Sequence, residues 1–390
     1  MLRSLFSGIS GMRSHQTMLD VTGNNIANVN TNGFKASSVQ FQDTLSQLQQ
    51  AAGGGDDNRG GTNPAQIGLG VQVAGISTNF AQGSAQATGK ATDLMISGDG
   101  FFVLNSGGQQ VYSRAGSFDA DFDERGRLVT PDGAFLQGWP AVNGVVQKGG
   151  AVSNIVLGQN TAPAVATSSA TIDGNLPAES AVGSSLVRDV KVYDASGNVR
   201  TLSLTFTRTA GGWNVNGADG AATGTTALTF TDGKLTGGGA LTVGGVDVDL
   251  TGVTGFAGLS TVKVSAQDGR AAGTLESFAL GKDGSITGAF SNGSRIVIGQ
   301  IALATFTNPG GLEKAGGSTF RATANSGNPT LGTAGSPGFG TIASGFLEMS
   351  NVDLSQEFTN LIVAQRGFQS NARVITTSDE VLQELTNLKR

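Results

Sequence analysis

Cysteine is absent from all 390 residues, and histidine occurs once, as His15. The missing cysteine removes disulfides, a thiolate nucleophile and any cysteine-based zinc or iron–sulfur site. It also means that a polypeptide travelling unfolded out of a cell cannot be trapped by oxidation. A single histidine removes most metal clusters and Ser-His-Asp triads, and His15 reads instead as a helix-face or interface residue. Proline is scarce at 8 residues and no Gly-X-Y period occurs, so the 61 glycines do not indicate collagen. They amount to roughly 16% of the sequence, against about 7% ordinarily, and point to a turn-rich β protein. Charge of one sign is not concentrated: 24 Lys and Arg are interspersed with 29 Asp and Glu, a formal net charge of -5. Nucleic acid binding through counterion release is therefore not expected. No apolar run approaches the roughly 20 residues that span a bilayer, so no membrane insertion is expected. The opening MLRSLFSGISGMRSH lacks the apolar core of a secretory signal peptide.

What is present is helical at both ends and β in the middle. Leu2, Leu5, Ile9, Met12, Gln16 and Leu19 recur at steps of three and four, an a/d seam. Gly23 and the following asparagines are expected to end that helix. Near the other end, Ser350 and Asp353 suggest a capping box. Beyond it Leu354, Phe358, Leu361, Gln365, Phe368, Ala372, Ile375, Asp379 and Leu382 hold a seven-residue repeat, and Leu385 and Leu388 shift its phase. Strands are expected at Gly100 to Asn105, Gln110 to Arg114, Val187 to Tyr193, Val199 to Thr207 and Ile296 to Phe306. The alternation of Val246, Val248 and Leu250 makes the low-complexity stretch 223–258 β rather than disordered, and 51–61 reads as a flexible linker.

The expected architecture is α+β and multidomain. Terminal helices form a coiled-coil-like core domain, and the middle is mainly β, with an outer domain inserted into an inner one. The boundaries are 1–32 with 351–390 for the helical assembly domain and 33–70 for a linker region. Residues 71–150 with 289–350 make the inner β domain, and 151–288 the inserted outer one.

Few residues suggest chemistry. Asp119, Asp121 and Asp123 resemble the opening of a calcium loop, but Glu124, Gly126 and Thr130 break the EF-hand pattern, and a hairpin turn at 123–126 accounts for them better. Gly68 to Gly70 and Gly98 to Gly100 lack phosphate-loop spacing and read as turns, as does Asn292-Gly293-Ser294. No catalytic residue, cofactor or metal is expected. The helical ends carry the stronger signal. Gly8 and Gly11 each cost about 0.5–1 kcal/mol in a helix relative to Ala, so the short first helix is marginal alone. Phe6, Met18, Ile362, Val363, Val374 and Val381 would stay exposed on a simple helix pair and are expected to be buried against neighbouring copies.

Five stretches resemble the axial proteins of the bacterial flagellum, the rod and hook subunits. They are Thr22 to Lys35 (TGNNIANVNTNGFK), Ala91 to Leu104, Tyr112 to Trp139, Ala304 to Gly316 and Leu347 to Leu382. In the first, Ala27, Asn28, Asn30, Thr31, Gly33, Phe34 and Lys35 carry the motif. The stretches Val192 to Thr209 and Asp268 to Gln300 are similar to hook subunits rather than to the shorter rod subunits. The resemblance implies a helical homopolymer in which paired terminal helices line a channel. That tube is a flexible universal joint passing torque from rod to filament, with Gly53 to Gly55 and the turns around Gly144 and Gly288 as points of compliance. Implied partners are further copies of the protein, the rod, the hook cap, the hook–filament junction proteins and the flagellar type III export apparatus. Delivery to an extracellular hook would then need no cleaved signal. Phe41 and Leu45 fit the short pattern read by that apparatus, though as i, i+4 neighbours they equally suit packing of a helix. Assembly is expected to rest on Leu2, Leu5, Ile9, Met12, Leu19, Leu354, Phe358, Leu361, Phe368, Ile375 and Leu382. A distal rod subunit is the alternative within the family. A secreted β-rich adhesin or glycan-active enzyme is the alternative outside it, disfavoured by the helical ends and the missing pair of acids.

Overall fold

A computed structural model describes residues 2–55, 60–119, 125–157 and 161–387. The fold is mostly β, with two α-helices, α1 (Leu2–Ala27) and α2 (Leu354–Asn387), that pack against each other. The protein divides into two units. The first comprises Met1–Gly158, Ala279–Ile286 and Val297–Arg390, and the second Gln159–Phe278 and Thr287–Ile296.

In the first unit the strands Arg295–Thr305 (whose first two residues belong to the second unit), Phe135–Val142, Phe101–Ser106, Gln109–Ser113, Thr319–Arg321 and Glu313–Gly316 lie side by side in that order. The unbroken apolar run Phe101-Phe102-Val103-Leu104 suits a strand covered on both faces, and all four residues are buried. On one face Phe101, Val103, Tyr112, Trp139, Phe306 and Phe320 form an apolar cluster. Its rings meet edge to face, with Tyr112 and Phe306 centred 4.8 Å apart. On the other, Phe102 meets Phe118 at 5.3 Å in the same geometry.

The second unit is a sandwich. One sheet is an antiparallel meander of Ser185–Tyr193, Val199–Thr209, Gly212–Asp219, Ala222–Thr231 and Lys234–Gly237. The other orders Ala240–Val243, Val246–Thr254, Ser169–Asn175 and Lys263–Gln267, with Ser169–Asn175 parallel to Val246–Thr254. Alternate residues of both sheets, among them Leu202, Leu204, Phe206, Val246, Val248 and Leu250, close one core. The low-complexity stretch therefore supplies strands to both sheets.

The strands expected from the sequence are found within two residues of their expected ends. Other local expectations are corrected. Helix α1 runs past Gly23 to Ala27, because Asn25 is held by distant partners rather than capping the helix. At α2, Asp353 is the cap: its Oδ1 accepts from Ser355 N at 2.9 Å and Gln356 N at 3.3 Å, while Ser350 Oγ accepts from Val352 N. The stretch 33–70, expected to be linker, carries the strands Ser37–Asp43, Ser46–Gln50 and Ala65–Gly68. Phe41 lies in the first of these, so it does not pack a helix with Leu45. Gly288 is a buried residue inside the strand Ser285–Phe290 and not in a turn. The positions Asp121, Asp123 and Glu124 of the acidic loop, and Leu388, lie outside the described residues.

Candidate assembly site: the terminal helices and their root

The two helices meet along small and polar side chains. In α1 the buried positions are Gly8, Gly11, Ser14, Thr22 and Asn25. A Cβ on Gly8 would stand 3.2 Å from Ile375 Cγ1, and one on Gly11 would stand 2.6 Å from Asn371 Oδ1. From the other side, a Cβ on Gly367 would stand 2.5 Å from His15 Cε1. The glycines that weaken an isolated helix thus let two backbones approach closely. Asn371 is held in place by donating through Nδ2 to Gly367 O at 2.8 Å. His15 has a buried Nδ1 with no partner among the described residues, and its ring lies 5.7 Å from that of Phe41.

This contact is out of phase with the apolar repeat by one residue. Leu5, Ile9, Met12 and Leu19 flank it, half-buried. On α2 Leu361, Phe368, Ile375 and Leu382 are half-buried, and the residues alternating with them on the covered face are Glu357, Ala364, Asn371 and Ser378. The heptad residues Phe358, Gln365 and Asp379 point away instead. Helical side chains lean toward the N-terminus, so the patch a residue covers is offset from its own Cα. With large side chains displaced to the flanks, Phe358, Ile362, Val363, Val374, Val381 and Leu385 stay exposed on α2, as do Leu354 nearby and Phe6 on α1. Met18, expected in that exposed set, is half-buried.

Below the helices the motif residues build a root. Asn28 Nδ2 donates to Asn24 O at 2.9 Å and its Oδ1 accepts from Thr31 Oγ1 at 3.0 Å, closing the turn after Ala27, with Asn30 exposed. Gly33 has φ +67°, and a Cβ there would overlap the backbone of Ala115. Phe34 lies beneath Lys314, whose Nζ is 5.0 Å from its ring centre. Lys35 is fully buried and donates to Glu348 Oε1 at 2.5 Å and to Ala81 O at 2.8 Å. Arg114 approaches Glu348 Oε2 at 3.5 Å, and Gly83 N donates to Oε1 at 2.9 Å. Burial pushes both the Lys35 ammonium and the Arg114 guanidinium below their usual pKa, and the Glu348 carboxylate opposes it. Asn25 completes the root: its side chain exchanges two hydrogen bonds with the backbone of Ser37, at 2.8 and 3.0 Å, and donates to Glu357 at 3.1 Å. Asn351 bonds Ala36 N, Asn79 O and Ala81 O.

Lys35 is legible in the sequence motif, whereas Arg114, Asn351 and Asn371 carry no such signal and Glu348 carries a weak one. An acid inside the apolar run Phe346-Leu347-Glu348-Met349 is the one signal that marked a buried charge. Of the export pair, Leu45 is 83% exposed. Asp119 pairs with Lys90 at 2.6 Å. Among the described residues no three metal-type side chains cluster, and no helix is long and apolar enough to cross a membrane.

Family models match at both ends and between: "Flagella basal body rod protein" over residues 5–35, "Flagellar hook protein FlgE/F/G D1 domain" over 95–175 and "Flagellar basal body rod FlgEFG protein C-terminal" over 343–388. Flagellar hook protein FlgE of Borreliella burgdorferi is 40% identical, with 100% of both sequences covered. The chain belongs to the flagellar hook protein family. FlgE of Treponema pallidum is 39% identical, again across 100% of both sequences. Flagellar basal-body rod protein FlgG of Bacillus subtilis is 34% identical, also with 100% of each covered. The protein is accordingly a structural subunit of the bacterial flagellar hook, in a family that polymerises within the flagellar basal body. The first and third family matches coincide with the helix pair and its root.

Proposed function

We propose that this hook subunit polymerises through its terminal helices into a flexible tube that transmits torque from rod to filament and encloses the export channel. The observation that carries this reading is the exposed apolar stripe of α2, from Phe358 to Leu385, which the subunit's own α1 leaves uncovered. Burying a large apolar side chain is worth about 1.5–3 kcal/mol, so the stripe favours contact with further copies. Neighbours related by rotation and rise meet heterologously, which builds an open helix rather than a ring. In this reading 1–32 and 351–390 form a coiled-coil-like tube core whose order is completed by stacking. Residues 71–150 with 289–350 form the inner β domain and 151–288 an outer domain inserted in it, bounds that depart from the two compact units by giving 151–158 and 279–286 to the outer domain and 289–296 to the inner one. Leu2, Leu5, Ile9, Met12, Leu19, Leu354, Phe358, Leu361, Phe368, Ile375 and Leu382 face neighbouring copies or the partner helix.

The rod, hook cap and hook–filament junction proteins would meet the ends of the tube, outside the cell. The subunit would leave through the flagellar type III apparatus with no cleaved signal, Phe41 and Leu45 being its recognition pair. No catalytic role is assigned. The test is deletion of residues 1–32: the remaining β body should stay folded and monomeric by sedimentation while the intact protein forms tubes under the electron microscope. Tubes from the truncated protein would refute it. The full-length similarity to a rod protein named FlgG supports a second reading as a distal rod subunit. Tubes that stay straight and resist bending would select it.

A further inference from the structure

We propose that Asn143 is a spontaneous deamidation site, an age mark that the folded hook subunit confines to one of its four Asn-Gly pairs. The pairs are Asn32-Gly33, Asn143-Gly144, Asn216-Gly217 and Asn292-Gly293. Deamidation requires the glycine backbone nitrogen to be free and the asparagine side chain to swing onto it. In three pairs the fold denies this. Gly33 is buried and its N donates to Glu348 O at 2.8 Å. Gly217 is buried in a strand paired on both sides, opposite Leu204 and Gly224. Gly293 N donates to Phe290 O at 2.8 Å, and the Asn292 side chain is tied to Ser294 and to Ala271 O.

Asn143 is different in each respect. It is exposed, its amide has no hydrogen-bond partner among the described residues, and the same holds for Gly144 N. The pair forms a two-residue turn with φ 53° at Asn143 and φ 79° at Gly144, the left-handed conformation at both positions that a tight hairpin turn requires and that Asn-Gly readily adopts. The hairpin behind it is minimal: Val142 faces Val145 and Ala141 faces Val146, and Val142 and Val145 are both exposed. A hairpin this short, with no burial at its end, opens easily, and rotation about the Asn143 backbone then brings Gly144 N to Asn143 Cγ.

The step balances with water alone. Gly144 N forms a bond to Asn143 Cγ while the Cγ–Nδ2 bond breaks, and the backbone proton leaves with the departing nitrogen as ammonia. Water then opens the cyclic imide at either carbonyl, giving aspartate or its β-linked isomer. Each converted copy gains one negative charge. The β-linked product also adds a backbone atom to a turn with room for two residues, so the Val142–Val145 register is lost.

The experiment is to incubate the full-length protein at mildly alkaline pH, folded and in denaturant. Each of the four Asn-Gly peptides is then followed by mass spectrometry for conversion of amide to acid and for the β-linked isomer. Folded, Asn143 should convert at least about tenfold faster than the other three, the factor given by a difference of about 1.4 kcal/mol in local opening. In denaturant the four rates should converge. Equal conversion of all four in the folded protein, or an intact Asn143 while another pair converts, overturns the proposal.

Discussion

The side-chain amide of Asn371 occupies the space beside Gly11 that a Cβ would need, with Oδ1 2.6 Å from that position. The stagger of α1 against α2 is thus set by a polar wedge entering a glycine notch. Replacing Gly11 by Ala should raise the intrinsic helix propensity of α1 by about 1 kcal/mol and still destabilise the pair, because overpacking costs about 1–3 kcal/mol. Removing the wedge as well, in Gly11→Ala with Asn371→Ala, should recover part of the loss. A double-mutant cycle by denaturant unfolding should return a coupling of at least about 1 kcal/mol, and additivity would show that the notch is not a constraint.

Phe358 is 52% exposed in the single subunit, so Phe358→Ala should change unfolding of the isolated subunit by no more than about 0.5 kcal/mol. The concentration needed for polymerisation should nevertheless rise, and more steeply when Ile362→Ala is added. Sedimentation across a concentration series separates the two effects.

Glu348 stands between Lys35 and Arg114 with its side chain fully buried. Glu348→Ala leaves two buried cations without their counter-charge, which costs about 3–5 kcal/mol. The loss should appear first as protease sensitivity near residues 33–37, where the root loses Lys35. Glu348→Gln should be intermediate, since an amide oxygen still accepts from Lys35.

In the second unit Asp268 Oδ1 accepts from Ser168 N at 2.9 Å and from Ser169 N at 3.0 Å, and Oδ2 from Ser168 Oγ at 2.6 Å. Burial pushes its pKa up, but these bonds together outweigh that and hold it at about 2, below the usual 3.8. The folded carboxyl therefore binds its proton less readily than the unfolded one. Its stabilisation is complete above the unfolded value and is lost as pH falls through about 2. Asp268→Ala should lower stability at neutral pH by about 1 kcal/mol and flatten the acid limb in that window. Thermal melts across pH report both.

Strand positions were legible because apolar runs and glycine turns are local signals. Phe101 to Leu104 and Val246 to Leu250 announce burial by their own pattern. The helix ends were legible as helices, yet their phase was misplaced by one residue. The apolar repeat marks the large side chains, whereas closest approach is made where side chains are smallest, at Gly8, Gly11 and Ala364. The root was the least legible part. Lys35 and Arg114 are charged residues of ordinary appearance, Glu348 alone stands among apolar neighbours, and what unites the three is joint burial across segments far apart in sequence. Asn25 likewise resembles a helix terminator until Ser37 and Glu357 are seen to claim its side chain.

The joint burial of Lys35 with Glu348 spans 313 positions of sequence. For a polypeptide threaded outward from its N-terminus, the lysine therefore emerges long before its carboxylate. Until that late segment is present, Lys35 has no carboxylate to be buried against and α1 keeps only its nearby tie through Asn25 to Ser37, so closure of the leading end would wait on the order in which the charges appear.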